Sequence, residues 1–160
     1  MARYLVWTGA QDCAQNKLFL ALKNTGVDQV VTLEDLRLIN SDASATGVFV
    51  EFDLLKITAI TAGTAVTPVP ADSGDGTAAS LTCVLAPTAV TGSTVFLAHY
   101  TNNDEVGATN AFPTTAIQAG LNLLPTPIRM RYGAGVALKQ ITSSTEGSFS
   151  ALAVIRIDYD

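Results

Sequence analysis

Histidine occurs once, tryptophan once and cysteine twice in these 160 residues, and charge is scarce at 14 % of the chain. Each shortage excludes something. With a single imidazole, His99, no metal site can be built from several histidines, and a Ser–His–Asp triad would have to use that one residue. Cys13 and Cys83 lie far apart and outside any CxxC spacing, so they permit one disulfide or two buried thiols. Cys83 stands inside the apolar run 81–85, where cysteine behaves as a small core hydrophobe. The net charge of −5 repels phosphate backbones, and the nine basic residues are scattered. The best basic pair, Arg129 and Arg131, reads as a solvated strand face or as ion-pair partners. No nucleic-acid partner is expected. No apolar run reaches the roughly 18 residues of a bilayer span, so no membrane partner is expected either. The opening MARYLVWTGAQDC has one Arg and a very short apolar segment, which does not read as a signal peptide. Synthesis in the cytoplasm is the expectation.

Motifs that carry chemistry are equally sparse. There is no GxSxG elbow, P-loop or GxGxxG; Gly133-Ala134-Gly135 reads as a two-glycine hairpin turn with no helix after it. The segment Asp72-Ser73-Gly74-Asp75-Gly76 fails as a calcium loop, because no Glu closes it and no helices flank it. It reads as an exposed turn. His99, with Asp104 and Glu105 close in sequence, could be a general base oriented by a carboxylate. A strand histidine with a backbone partner is the preferred reading. A carboxylate pair about 5–10 Å apart across a cleft could support glycoside hydrolysis, and Glu51 and Asp53 lie at adjacent same-side positions on one strand face. A charged strip opposite Arg37 or Lys56 explains them more cheaply, with Glu34, Asp35 and Arg37 completing a cross-strand ladder. No catalytic residue, metal site or cofactor is expected.

What the chain has is alternation. Hydrophobic residues make up 48 %, and the mean hydropathy is +0.33. Either some apolar surface lies against another chain, or Ala, Val and Thr in strands raise the figure without exposing anything; partner contact is the reading preferred here. Two β-branched runs, Val30–Ile39 and Val48–Ala62, flank the polar segment 40–47 and read as paired strands. Val48, Val50, Phe52 and Leu54 fall on one face, opposite Glu51 and Asp53. KLFLALK at 17–23 reads as a strand buried on both sides, with Leu18, Leu20 and Leu22 on one face; a short helix is the alternative. Further strands are expected at 79–86, 93–100, 127–132, 136–142 and 148–159. In the last, Phe149, Ala151, Ala153, Ile155, Ile157 and Tyr159 face one way. About eight strands broken by Gly, Pro, Asn and Asp turns specify an all-β, antiparallel two-sheet sandwich. It is taken as jelly-roll-like, with an immunoglobulin-like strand order as the alternative. One domain fits this length, divided into an N-terminal arm with the first strands (1–27) and the sandwich proper (28–160).

Residues 3–8, RYLVWT, form a short strand or an arm, and Tyr4 and Trp7 on it could pack at home or anchor a neighbour. The stretch 101–126 is long, irregular and rich in Asn, Thr, Gly and Pro, yet carries Phe112, Ile117, Leu121, Leu123 and Leu124. Such apolar residues on a long connection make it the first candidate for a subunit contact. Surface aromatics on a sandwich can also stack sugar rings, and Trp7, Tyr4, Tyr100, Tyr132 and Phe112 are the candidates for that.

The segments VTLEDLRLIN, ATGVFVEFDLLKITAITAGTAVTPVPADS, PIRMRYGAGVALKQ and GSFSALAVIRIDY together resemble small virion proteins of tailed bacteriophages, of the capsid cement or decoration type. The similarity covers most of residues 28–160. It implies a non-enzymatic β-sandwich, a homotrimer seated where major capsid protein subunits meet, on the capsid exterior of a virion. The N-terminal arm and the 101–126 loop would make the contact, so that removing residues 1–12 abolishes docking and leaves the sandwich folded. A phage tail, baseplate or glycan-binding adhesin module is the alternative.

Overall fold

The computed structural model describes residues 1–40, 48–92, 94–103, 121–141 and 147–159. Among these there is no helix; every regular element is a strand. The strands are β1 (Ala2–Trp7), β2 (Gln11–Asp12), β3 (Leu18–Asn24), β4 (Gln29–Asn40), β5 (Val48–Ile57), β6 (Ala59–Thr61), β7 (Thr64–Ala65) and β8 (Val69–Pro70). They continue as β9 (Leu81–Leu85), β10 (Ala89–Thr91), β11 (Thr94–Asn103), β12 (Leu121–Asn122), β13 (Ile128–Met130), β14 (Gly135–Gln140) and β15 (Ser148–Tyr159).

Two large antiparallel sheets hold most of them. The first runs β12-β4-β15-β1-β8, with β13 also on β4 and β2 also on β15; the second runs β11-β5-β14-β3-β9-β7. Their apolar faces meet in one core. Val6, Leu33, Leu36, Ala153 and Ile155 come from the first sheet, and Phe19, Leu22, Phe52, Leu54 and Leu138 from the second. The alternation expected in the last strand is present, with Phe149, Ala151, Ala153, Ile155 and Ile157 all buried. A small third sheet, β6-β10, lies over the far side of the second sheet. There Ile60 and Val90 pack on Leu18, Ala21, Leu55, Ile57 and Ala137. This cover explains why β3 and β14 are buried on both faces.

The strand over 17–23 is present, but its faces differ from simple alternation. Leu138 pairs with Leu20 and Lys139 with Leu18, leaving Phe19 as the extra residue of a bulge. The bulge lets Phe19 and Leu20 both join the main core, and turns Leu18 to the outer cluster.

Three expectations are corrected. The runs at β4 and β5 are strands, but they do not pair with each other: β4 lies between β15 and the β12/β13 pair, β5 between β11 and β14. Likewise β13 and β14 are not a hairpin, since β13 pairs with β4 and β14 with β3 and β5. In both places the chain crosses from one sheet to the other, which sets the two apolar faces across the core from each other rather than side by side. Gly135 makes the second crossing possible, because a Cβ there would lie 2.3 Å from the Leu22 carbonyl oxygen. Finally, residues 2–7 are not an extended arm. β1 pairs with β15 over its whole length and with β8 on its other edge, and buries Tyr4 and Val6. Removing residues 1–12 would take out an inner strand, so that deletion cannot separate docking from folding.

Candidate interaction surface

The outer face of the first sheet carries three of the exposed large apolar side chains, Leu5, Trp7 and Val69. Along β1 the side chains alternate: Tyr4 and Val6 enter the core, while Leu5 and Trp7 point out, 37 % and 50 % exposed. Register places Val69, Leu5 and Val154 in one row across β8, β1 and β15, and Trp7, Leu152 and Arg37 in the next across β1, β15 and β4. Val69 is 61 % exposed, Leu152 and Val154 half-buried. Cross-strand neighbours on one face stand about 5 Å apart, so these five side chains form one strip.

A frame of ion pairs borders the strip. Between Val154 and Ile155 the β15–β4 register slips, leaving Glu34 as the extra residue on β4. Its carboxylate takes Arg3 Nε at 2.9 Å and Arg156 Nη1 at 3.0 Å. Arg156 Nε also reaches Asp158 Oδ2 at 2.8 Å, and Arg37 Nε reaches Asp35 Oδ2 at 2.6 Å. Three arginines thus balance three carboxylates, and the face is close to neutral in a chain of net charge −5. Such partly exposed pairs add little to stability, but they fix where the charges stand.

Tyr4 belongs to the core, its hydroxyl donating to the Gly76 carbonyl at 3.1 Å. Leu123 and Leu124 are core residues too, and Leu123 N–H donates to the Leu36 carbonyl at 2.8 Å. Their apolar surface is consumed within the chain, so the reason for assigning all three to a subunit contact no longer holds. Leu121 sits in β12 opposite Leu38. Phe112 and Ile117 lie outside the described residues. Of the four candidates whose side chains are described, Tyr4, Trp7, Leu123 and Leu124, Trp7 stands on an open face. Sequence reasoning missed Leu5, Val69, Leu152 and Val154. The signal was that RYLVWT and the last strand are apolar on both faces, which a sheet covered on one side does not require.

The other candidates are dispersed. Asp53 on β5 is opposite Lys139, not Arg37 or Lys56, and Glu34, Asp35 and Arg37 stand in the other sheet. Burial, and then Glu51, raise the Asp53 carboxyl above its ordinary 3.8, and Lys139 pulls it back. His99 occupies the β11 position opposite Phe52; Asp104 and Glu105 lie outside the described residues. Asp72 Oδ1 accepts from Gly74 N–H at 2.9 Å, the self-capped turn the sequence suggests. Among the described residues no three His, Cys, Asp or Glu side chains gather as metal ligands. Tyr132 is exposed, but no ring contact joins it to Trp7 among the described residues.

The cysteines are free thiols in the core. Burial pushes Cys83 up to about 12 and Cys13 up to about 11, the latter with Lys17 opposing and Asp12 assisting. Both are therefore protonated at neutral pH. The folded protein is expected not to react with a disulfide reagent at pH 8, and to release two equivalents once denatured. A thiol titration in both states checks this, and fast reaction of the folded chain would contradict it.

No protein-family model matches the sequence, and no curated protein matches it. One solved structure does by shape: a chain of the VP16-VP17 complex, a complex of the two major capsid proteins of bacteriophage P23-77. It is 11 % identical, with 98 % of this chain and 99 % of that one covered, at a TM-score of 0.28. That likeness is too slight to bear on either fold or role.

Proposed function

We propose that the chain is a non-enzymatic structural protein of a virion, a capsid cement or decoration protein that seats the outer face of its first sheet on junctions of the major capsid protein. The observation that carries this is the strip of Val69, Leu5, Trp7, Leu152 and Val154 inside a neutral frame of ion pairs. Apolar centre and charged rim are the anatomy of a protein-binding patch, and tryptophan is among the residues enriched as anchors of such patches. The sequence resemblance supplies the partner and the location on the capsid exterior. The homotrimer rests on the resemblance alone.

Trp7→Ser is expected to weaken binding to capsids assembled without this protein by about 30-fold or more, while the melting temperature stays near wild type because Trp7 lies on the open face. Co-sedimentation with particles measures the first and calorimetry the second. Wild-type binding by a folded Trp7→Ser variant would remove the face from the proposal. The exposed indole also suits a sugar ring, so saturable glycan binding lost in the same variant, with no capsid binding by the wild type, would point to the adhesin module instead.

A further inference from the structure

The second sheet ends in a strand unlike the chain's other described edges. β11 runs ten residues, Thr94–Asn103, and pairs with β5 on one side only among the described residues. Elsewhere the edges are short: β7, β8 and β12 have two residues each, β13 has three, and β8 ends in Pro70. Short strands and proline are standard ways to stop an edge from recruiting a neighbour. β11 has neither, and TVFLAHYTNN contains no Lys, Arg, Asp, Glu, Pro or Gly. Its one protective feature is the register slip between Val95 and Leu97, which leaves the seven residues Leu97–Asn103 in continuous register.

We infer that this edge pairs with the same edge of a second copy of the chain, antiparallel and about a two-fold axis near Tyr100, joining two second sheets into one continuous sheet. A contact between β11 and a different edge of the copy would need another edge of similar length, and the described residues provide none. The two-fold arrangement needs only β11. Net charge does not oppose it: β5, with Glu51 and Asp53, would stand three strand spacings from its counterpart, about 14 Å. That exceeds the Debye length of about 8 Å at physiological salt. The contact lies on the opposite sheet from the Trp7 face and does not depend on the virion reading.

Tyr100→Lys tests it. Register sets residue 100 opposite Glu51 in its own sheet, so a lysine there has a carboxylate neighbour within the fold. In the dimer two lysines would meet at the axis. Sedimentation equilibrium of the full chain is expected to give twice the 16.7 kDa chain mass, and Tyr100→Lys, folded by circular dichroism, is expected to dissociate at least about tenfold more readily. In hydrogen exchange on the wild type, the amides of 97–103 should lose protection on dilution. A wild-type monomer at sub-millimolar concentration overturns the inference. So does a dimer or trimer that Tyr100→Lys leaves intact, or that protects other segments and not 97–103. If Trp7→Ser alone dissolves the assembly, the contact is on the other face and the inference fails while the docking surface gains support.

Discussion

Phe52→Ala is expected to lower the free energy of unfolding by about 3–5 kcal/mol, a large part of the 5–15 kcal/mol typical of a single domain. Phe52 is fully buried on β5. Its ring meets Phe19 edge-on at 5.4 Å and 74° and Phe149 at 5.5 Å and 81°. Phe19 is on β3 in the same sheet and Phe149 on β15 in the other, so one side chain spans the interface between the sheets. Removing it forfeits the transfer term, leaves a cavity between two sheets that cannot collapse independently, and breaks two edge-to-face contacts worth about 0.5–1.5 kcal/mol each. Urea titration should show a lower midpoint at nearly unchanged slope. Leu5→Ala, on the open face, is expected to stay within about 0.5 kcal/mol of wild type. Equal losses in the two variants would mean that the ring trio does not carry the core.

Phe52 also shows what the sequence made legible. Its alternation with Leu54, against Glu51 and Asp53, is enough to assign a strand with one buried face, and the same holds for the last strand from Phe149 to Ile157. Period two reports which way a side chain points relative to its own sheet. It does not report which sheet. Val30–Ile39 and Val48–Ile57 carry the same pattern whether they lie side by side or face each other across a core, and they do the latter. The ladder imagined between Glu34, Arg37 and Glu51 failed for that reason alone. Bulges are hidden too: that Glu34 projects between Arg3 and Arg156 follows from one extra residue in β4, and nothing local announces it. The open face was half legible. Trp7 stood out by type, but Val69 next to Leu5 is a pairing between residues more than sixty positions apart, and no local pattern encodes it.

Asn24 is the residue whose importance lies furthest from its appearance, a turn former in an Asn-Thr-Gly sequence. It is fully buried at the end of β3. Its Nδ2 donates to the Gln29 carbonyl at 2.8 Å and to the Met130 carbonyl at 3.0 Å, and its Oδ1 accepts from Gly26 N–H at 2.8 Å. Its backbone N–H donates to the Ala134 carbonyl, and its own carbonyl accepts from Gly133 N–H. Gln29 opens β4 and Met130 closes β13, so one amide ties the points where the chain leaves the second sheet for the first, at 24–29, and returns to it, at 130–135. Asn24→Ala leaves two carbonyls and one N–H short of a partner, at about 1–3 kcal/mol for each that water cannot reach. The Met130 bond is buried and the other two partly so, which sets the expected loss at about 3 kcal/mol. Asn24→Asp keeps the acceptor for Gly26 but turns a carboxylate toward two carbonyl oxygens, favouring the protonated acid in the folded state. The folded pKa of the new group is then raised above the unfolded value of about 3.9. The charge penalty is absent below that pH, grows as pH rises between the two values, and is complete above the folded one. Thermal melts at pH 3 and pH 7 should therefore show Asn24→Asp losing more against wild type at neutral pH, while the deficit of Asn24→Ala, which adds no titrating group, stays the same at both.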